Sequence, residues 1–443
     1  MAELVIRGGT IVTIDPRWEV LAGDLHVREG RIVQVGGTAV PTERDYDVIE
    51  AEGTVVMPGL VQTHVHMCQT LARGYADDMA LLDWLRRVVW PYEAALDRED
   101  VAAAARLACV ELLRGGTTTI QDMGTVRHTE TLFEVAEKAG IRATIGKAMM
   151  DTGEGVPPGL AENTAGSVRE SVALCEAWHG RADGRLRYAF SPRFVLSCTE
   201  DLLRQVASEA RRLGARMHTH ASENRDELAA VRALRGQENI AYLHGLGLSG
   251  PDVGLAHCVW LDEAEIATLA ATGTNLLHCP SSNLKLASGI APVPELIEAG
   301  VPVSLGADGA PCNNNLDGFV EMRLAALIHK PRCGPTALPA REVVRMATLG
   351  GARALGIDAE IGSLEVGKRA DVVIVDVEAA HVAPTESPYS AIVYACHSSD
   401  VRHVIVDGRI VVRDRELVTL DGRRAVADAR SRARRIFARI EAP

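Results

Sequence analysis

Eight short apolar runs, each followed by a segment of helical periodicity, constrain this chain more than any other feature. They are MPGLVQTHVH (57–66), TTTIQDM (117–123), RATIGKAMM (142–150), RLRYAFSPR (185–193), ARMHTHASE (215–223), VGLAHCVW (253–260), TNLLHCPSS (274–282) and VPVSLGADG (301–309). Eight β/α units over about 300 residues is the count of a (β/α)8 barrel of the TIM type, an α/β fold. The runs are apolar at nearly every position, as strands covered on both faces should be. Their polar residues crowd the C-terminal ends, where barrel enzymes place their chemistry.

The two ends of the chain share a different texture. ELVIRGGTIVTI and GDLHVREGRIVQVGG near the start, and GKRADVVIVD and VRHVIVDGRIVVRDRELV near the end, are β-rich and punctuated by glycine. The expected organisation is a small composite β-sandwich domain from residues 1–56 and 360–420, a catalytic barrel over 57–359, and a C-terminal helix over 421–443. That helix carries Val426, Ala429, Ala433, Ile436 and Ile440 along one face, with its arginines expected on a solvated outer face. A hydrophobic content of 47% is enough for a large core, and a net charge of −12 argues against nucleic acid or an anionic membrane as partner. No apolar run approaches the ~20 residues of a membrane span. The N-terminus has no basic and apolar leader pattern, and the nine cysteines contain no C-x-x-C spacing. Free thiols in a reducing cytoplasm are expected.

His64 and His66 stand two apart at the end of the first run, so a strand points both to the same side. On its own such a pair is a weak signal, and a polar strand end is the more ordinary reading. The other runs change the reading. The fifth ends in His218-Thr-His220-Ala-Ser-Glu223, the sixth gives His257, the seventh His278, and the eighth ends in Asp308. Closing a barrel brings these ends onto one rim. His64, His66, His220 and Asp308 then form an N3O donor set, which suits one divalent transition ion, Zn²⁺ ahead of Fe²⁺, with a position left for water. His218 shares the face of His220 and is expected to pack against the site. His244 is expected at a helix end.

PGLVQTHVH, HASE, AHC and GADG, in this order, resemble the amidohydrolase superfamily, and within it the purine and triazine deaminase and chlorohydrolase branch. IGSLEVGKRADVVIVD is similar to that branch's return from barrel to β domain. The resemblance covers nearly the whole chain. It implies one metal on His64, His66, His220 and Asp308, Glu223 as the proton shuttle, and His257 polarising the substrate or orienting water. Asp308 would both ligate and accept the nucleophile's proton. Members with two metals use a carboxylated lysine on the fourth strand. Here that strand has none, and Lys147 lies on the third, so one metal per chain is expected.

The resemblance divides over the substrate. The candidate contacts are Gln69, Trp84, Glu93, Arg193, Phe194 and His278. SPRFVLSCTE followed by HASENRDE resembles guanine deaminases, in which an Arg-Phe pair holds the purine edge and face and a glutamine assists; Arg193 and Phe194, with Gln69, would do so here. Arg193 donates but never accepts, which suits a carbonyl. LARGYADDMALLDWL, HCPSSNLKLASGIAPVPEL and GADGAPCNNNLDGFVEMRLAALIHK resemble deaminases of adenosine derivatives (5′-deoxyadenosine, methylthioadenosine, S-adenosylhomocysteine). Glu93, in WPYE, matches their ribose-binding glutamate. SPRF stands where that group usually has a histidine-proline pattern, and the run after Asp308 differs from that of guanine deaminases. The expectation is a hydrolytic, ammonia-releasing deaminase of an amino-substituted purine-type ring. A guanine-like base is slightly favoured, adenosine derivatives are the alternative, and pterin deamination or s-triazine hydrolysis comes after these. Its partners would be a small amino-heterocycle and water, in a homo-oligomer.

Three other classes fare worse. GLGLSG (245–250) fits a dinucleotide-binding fingerprint, but it follows a helix and precedes a strand, the reverse of what that site needs. The H-x-E…P-C-x-x-C signature of cytidine-type deaminases is absent. A scaffold that had lost its activity would be expected to have lost metal-binding positions, and all four are present.

Overall fold

The structure is a computed structural model, and it describes residues 3–42 and 44–441. Eight parallel strands follow one another in the order of the sequence: β1 (Leu60–Val65), β2 (Thr117–Met123), β3 (Arg142–Gly146), β4 (Leu186–Pro192), β5 (Arg216–Ala221), β6 (Val253–His257), β7 (Asn275–His278) and β8 (Val303–Leu305). A parallel bridge between Val65 and Asp308 joins the last strand's end to the first, which closes the barrel. Gly306 makes that closure possible. A β-carbon there would lie 2.7 Å from the His64 carbonyl oxygen and 2.8 Å from its nitrogen, so no other residue fits between β8 and β1.

The strands are shorter than the apolar runs, for local reasons. Met57 and Pro58 end another strand, Thr54–Pro58, which pairs antiparallel with Val372–Asp376, so β1 starts at Leu60. Pro280, Ser281 and Ser282 do not extend β7. They open the helix Pro280–Lys285, because proline at the first helical position loses no hydrogen bond and fixes a helical φ.

Strands from both ends of the chain form one nine-stranded sheet. Its order runs Glu416–Leu417, Arg409–Arg413, Val401–Val406, Val372–Asp376, Thr54–Pro58, Glu3–Val12, Val20–Arg28, Arg31–Val35, with Tyr46–Glu50 beside Glu3–Val12. It has a core of its own, including Leu4, Ile6, Ile11, Leu25, Val27, Ile374 and Ile405. A buried ion pair fastens it to the N-terminal face of the barrel. Arg142, the first residue of β3, donates to both oxygens of Asp371 at 2.8 and 2.9 Å, and the Asp407 amide donates to the same carboxylate at 2.8 Å. Truncating one partner would strand the other charge, at a cost of about 3–5 kcal/mol.

The last helix spans Gly422–Glu441. Ala429 and Ile436 are buried on the expected face, and Phe437 stacks on Tyr75 with ring centroids 3.6 Å apart. Not all its arginines are solvated. Arg432 packs onto the buried Asp100 at 3.0 Å, and the exposed Arg439 reaches the same carboxylate at 2.7 Å. Burial would raise the Asp100 carboxyl, and these two guanidinium groups hold it below its ordinary range. Among the described residues no helix is long and apolar enough to cross a membrane.

Candidate active site

His64 and His66 project from the end of β1 on its period of two, and His220 does so from β5. Asp308 follows β8 by three residues. One donor atom from each of the four lies within 4.8 Å of all the others. Asp308 Oδ1 is 3.3 Å from the Nε2 atoms of both His64 and His66, and the Nε2 atoms of His66 and His220 are 3.3 Å apart.

The surroundings fix which nitrogen faces inward. His66 Nδ1–H donates to the Met123 carbonyl and His220 Nδ1–H to the Arg193 carbonyl, both at 2.7 Å. Their Nε2 atoms are therefore bare lone pairs. His64 Nδ1 lies 2.7 Å from His218 Nε2, and His64 Nε2, fully buried, has no hydrogen-bond partner. Three imidazole lone pairs and a carboxylate thus converge in a buried site. Such a set is repulsive alone and satisfied by one cation. Carbonyl-anchored imidazoles are also the usual support of metal-binding histidines. The electrostatics agree for two of the three rings, while at His66 burial is outweighed by Asp308, which raises it. Burial pushes His64 down to about 4 and His220 well below its usual range, so both stay neutral donors.

His257 and Glu223 stand beside this cluster. His257 Nε2 is 3.5 Å from Glu223 Oε2 and 3.9 Å from Asp308 Oδ2. Its Nδ1–H donates to Asn283 Oδ1 at 2.9 Å, which points Nε2 at the two carboxylates. Burial first, then the charges of Asp308 and Glu227, raises Glu223 well above the usual glutamate range. Ser282 Oγ–H donates to Asp308 Oδ2 at 2.6 Å. His257 and Asp308 have φ of +76° and +62°, a region that L residues seldom occupy. Strain of this kind, held by the surrounding structure, is common where side chains must be aimed. Replacing Asn283 by alanine removes the acceptor that orients His257. A fall in kcat of about tenfold, the worth of one buried hydrogen bond, is expected with the circular dichroism spectrum unchanged.

A narrow cavity of about 30 Å³ opens onto the cluster. Gln69, Trp84, Arg193 and Phe194 line it as expected, with His66, His220, Glu223, His257 and Asp308. Glu93 and His278 are not in the lining. Glu93 lies behind it, where it accepts from Arg193 Nη1 at 2.5 Å and Nη2 at 3.1 Å and from Gln69 Nε2 at 2.9 Å. The Arg193 guanidinium is therefore a partner of Glu93 as well as a wall of the cavity. His278 is buried against His329, with ring centroids 6.2 Å apart. Lys147 is likewise committed, to Glu162 and Glu170 at 2.9 and 3.0 Å.

Sequence reasoning missed Leu81, Leu85 and Glu227, which also line the cavity. The leucines were legible, since Leu81, Trp84 and Leu85 share one helical face. Glu227 reads in sequence as the fourth residue of an N-R-D-E capping box, and it is one. It also accepts the Glu223 amide at 2.7 Å, so the cap holds the Glu223 backbone in place.

Residues 55–411 match the amidohydrolase family. The chain belongs to that family. Among relatives, it is 41% identical over 443 residues to the 5′-deoxyadenosine deaminase of Methanosarcina mazei, covering 99% of this chain and all of the other. It is 40% identical to the 5-methylthioadenosine/S-adenosylhomocysteine deaminase of Pelotomaculum thermopropionicum, with the same coverage. Among solved structures, an adenosine deaminase from Xanthomonas campestris with bound zinc superposes with a TM-score of 0.91 at 36% identity over 99% of both chains. This amidohydrolase is accordingly a hydrolase of C–N bonds, of a metal-dependent family, and its buried His/Asp cluster fits a metal.

Proposed function

We propose that this amidohydrolase deaminates adenosine derivatives whose 5′ position carries an uncharged group, 5′-deoxyadenosine and methylthioadenosine ahead of S-adenosylhomocysteine. The observation that carries the reading is whole-length identity of 40–41% to relatives named for these activities. Two features of the cavity support it. Leu81, Trp84, Leu85 and Phe194 offer apolar surface to a purine face. Among the described lining residues, Arg193 is the only lysine or arginine, and Glu93 already engages it. Little is left to balance the charged amino-acid tail of S-adenosylhomocysteine. The whole-length relatives favour adenosine derivatives over guanine, and the guanine-like preference is corrected accordingly.

His64, His66, His220 and Asp308 would hold one divalent ion, and their N3O chemistry, with the zinc of the Xanthomonas relative, favours Zn²⁺. That ion supplies the Lewis acidity that makes water nucleophilic at neutral pH. The chain's own residues handle the protons. Glu223, whose affinity for a proton burial raises, gives one to the ring nitrogen beside the amino-bearing carbon as water adds to that carbon. Asp308 faces the incoming water and accepts its proton. His257, aimed by Asn283, stabilises the charge that develops between the two carboxylates. Proton return to the amino group releases ammonia and leaves an oxo-purine.

An ammonia-release panel tests the substrate. Turnover of 5′-deoxyadenosine and methylthioadenosine, with lower kcat/KM for S-adenosylhomocysteine and none for guanine, is expected. Turnover of guanine with the adenosines ignored would overturn the reading.

A further inference from the structure

A second group of side chains that could hold a metal lies in the connection between two strands of the terminal sheet, and none of its members lines the catalytic cavity. His381, His397 and Asp400 each offer one donor atom, all within 4.8 Å of one another. Asp400 is 8% exposed, and its Oδ2 is held in place by the backbone N–H of His397 at 2.8 Å. His381 Nε2 is 2.9 Å from that same oxygen and His397 Nδ1 is 3.7 Å from it. The two rings lie 5.0 Å apart, tilted by 40°. A simple ion pair explains His381. His397 caps the turn Ser398–Asp400, and its Nδ1 faces the oxygen from beyond hydrogen-bond range. Donors around a tetrahedral zinc stand about 3.4 Å apart, and the two observed separations straddle that spacing.

We propose that His381, His397 and Asp400 form a second divalent transition-metal site, with two imidazoles and one carboxylate as its protein donors. Both histidine side chains are open to solvent, at 43% and 64% exposure, so water completes the coordination. This donor set selects a borderline ion such as Zn²⁺ over Mg²⁺ or Ca²⁺. The site ties together the two ends of one connection. His381 follows the strand Val372–Asp376, Asp400 precedes Val401–Val406, and these strands pair antiparallel. A cation there closes residues 382–396 into a fixed loop, so its occupancy raises the melting temperature by mass action.

The test uses tag-free chain already loaded at the catalytic site, dialysed to equilibrium against micromolar Zn²⁺ and measured for metal content and Tm. Wild type is expected to take up a second equivalent and melt higher. His381→Ala and His397→Ala are expected to stay at one equivalent, with no zinc-dependent rise in Tm and unchanged ammonia release. Two variants with exposed side chains guard against a folding defect in either. A wild type that stays at one equivalent, or variants that still take up the second, would overturn the site and leave an ordinary His381–Asp400 pair.

Discussion

Glu223→Gln is expected to lower kcat by about 10²–10⁴-fold, the usual worth of a positioned acid–base group, while metal content stays at the wild-type level. Glutamine keeps the shape of the side chain, but it cannot give and retake a proton. Three observations place the burden on this residue. Its carboxyl is buried in the cavity wall, its pKa is raised by burial and by the charges of Asp308 and Glu227, and its Oε2 is 3.5 Å from His257 Nε2. Its backbone is fixed by the Glu227 cap, so the substitution should leave the fold alone. Ammonia release and elemental analysis on the same preparation check this. Wild-type turnover by the glutamine variant would remove Glu223 from the mechanism.

His66→Ala is expected to remove the metal and, with it, at least about 10³-fold of turnover, which is the several kcal/mol a Lewis acid supplies. His66 Nε2 meets Asp308 Oδ1 and His220 Nε2, both at 3.3 Å, so its loss opens one side of the donor set. A graded comparison separates donors from their supports. His218 touches the set only through His64 Nδ1. His218→Phe should therefore weaken metal affinity by about 10–100-fold, the range for outer partners of metal-binding groups. Equal losses in the two variants would mean that His218 belongs to the donor set.

Much of this site could be read before any coordinates, because strand geometry dictates it. A period of two puts His64 beside His66, and barrel closure must bring β1, β5 and β8 to one rim. What stayed hidden depends on pairings between distant residues. Glu93 and Arg193 are 100 positions apart, and only the folded chain shows that they bind each other. His218 and His64 are 154 apart, so a packing residue could not be recognised as an imidazole support. Asn283 lay just past a run expected to be strand. Pro280 turns the end of that run into a helix, and the helix delivers Ser282 to Asp308 and Asn283 to His257. The many arginines of the last segment also misled, since composition cannot show that Asp100 waits beneath two of them.

The central claim is that the cluster of His64, His66, His220 and Asp308 holds the ion on which deamination depends. Removing metal with a chelator, then restoring one equivalent of Zn²⁺ while following ammonia release from 5′-deoxyadenosine, tests it most directly. Loss of activity on chelation, recovery with Zn²⁺, and no recovery in His66→Ala is the predicted result. Full activity in protein shown to be free of metal would contradict it.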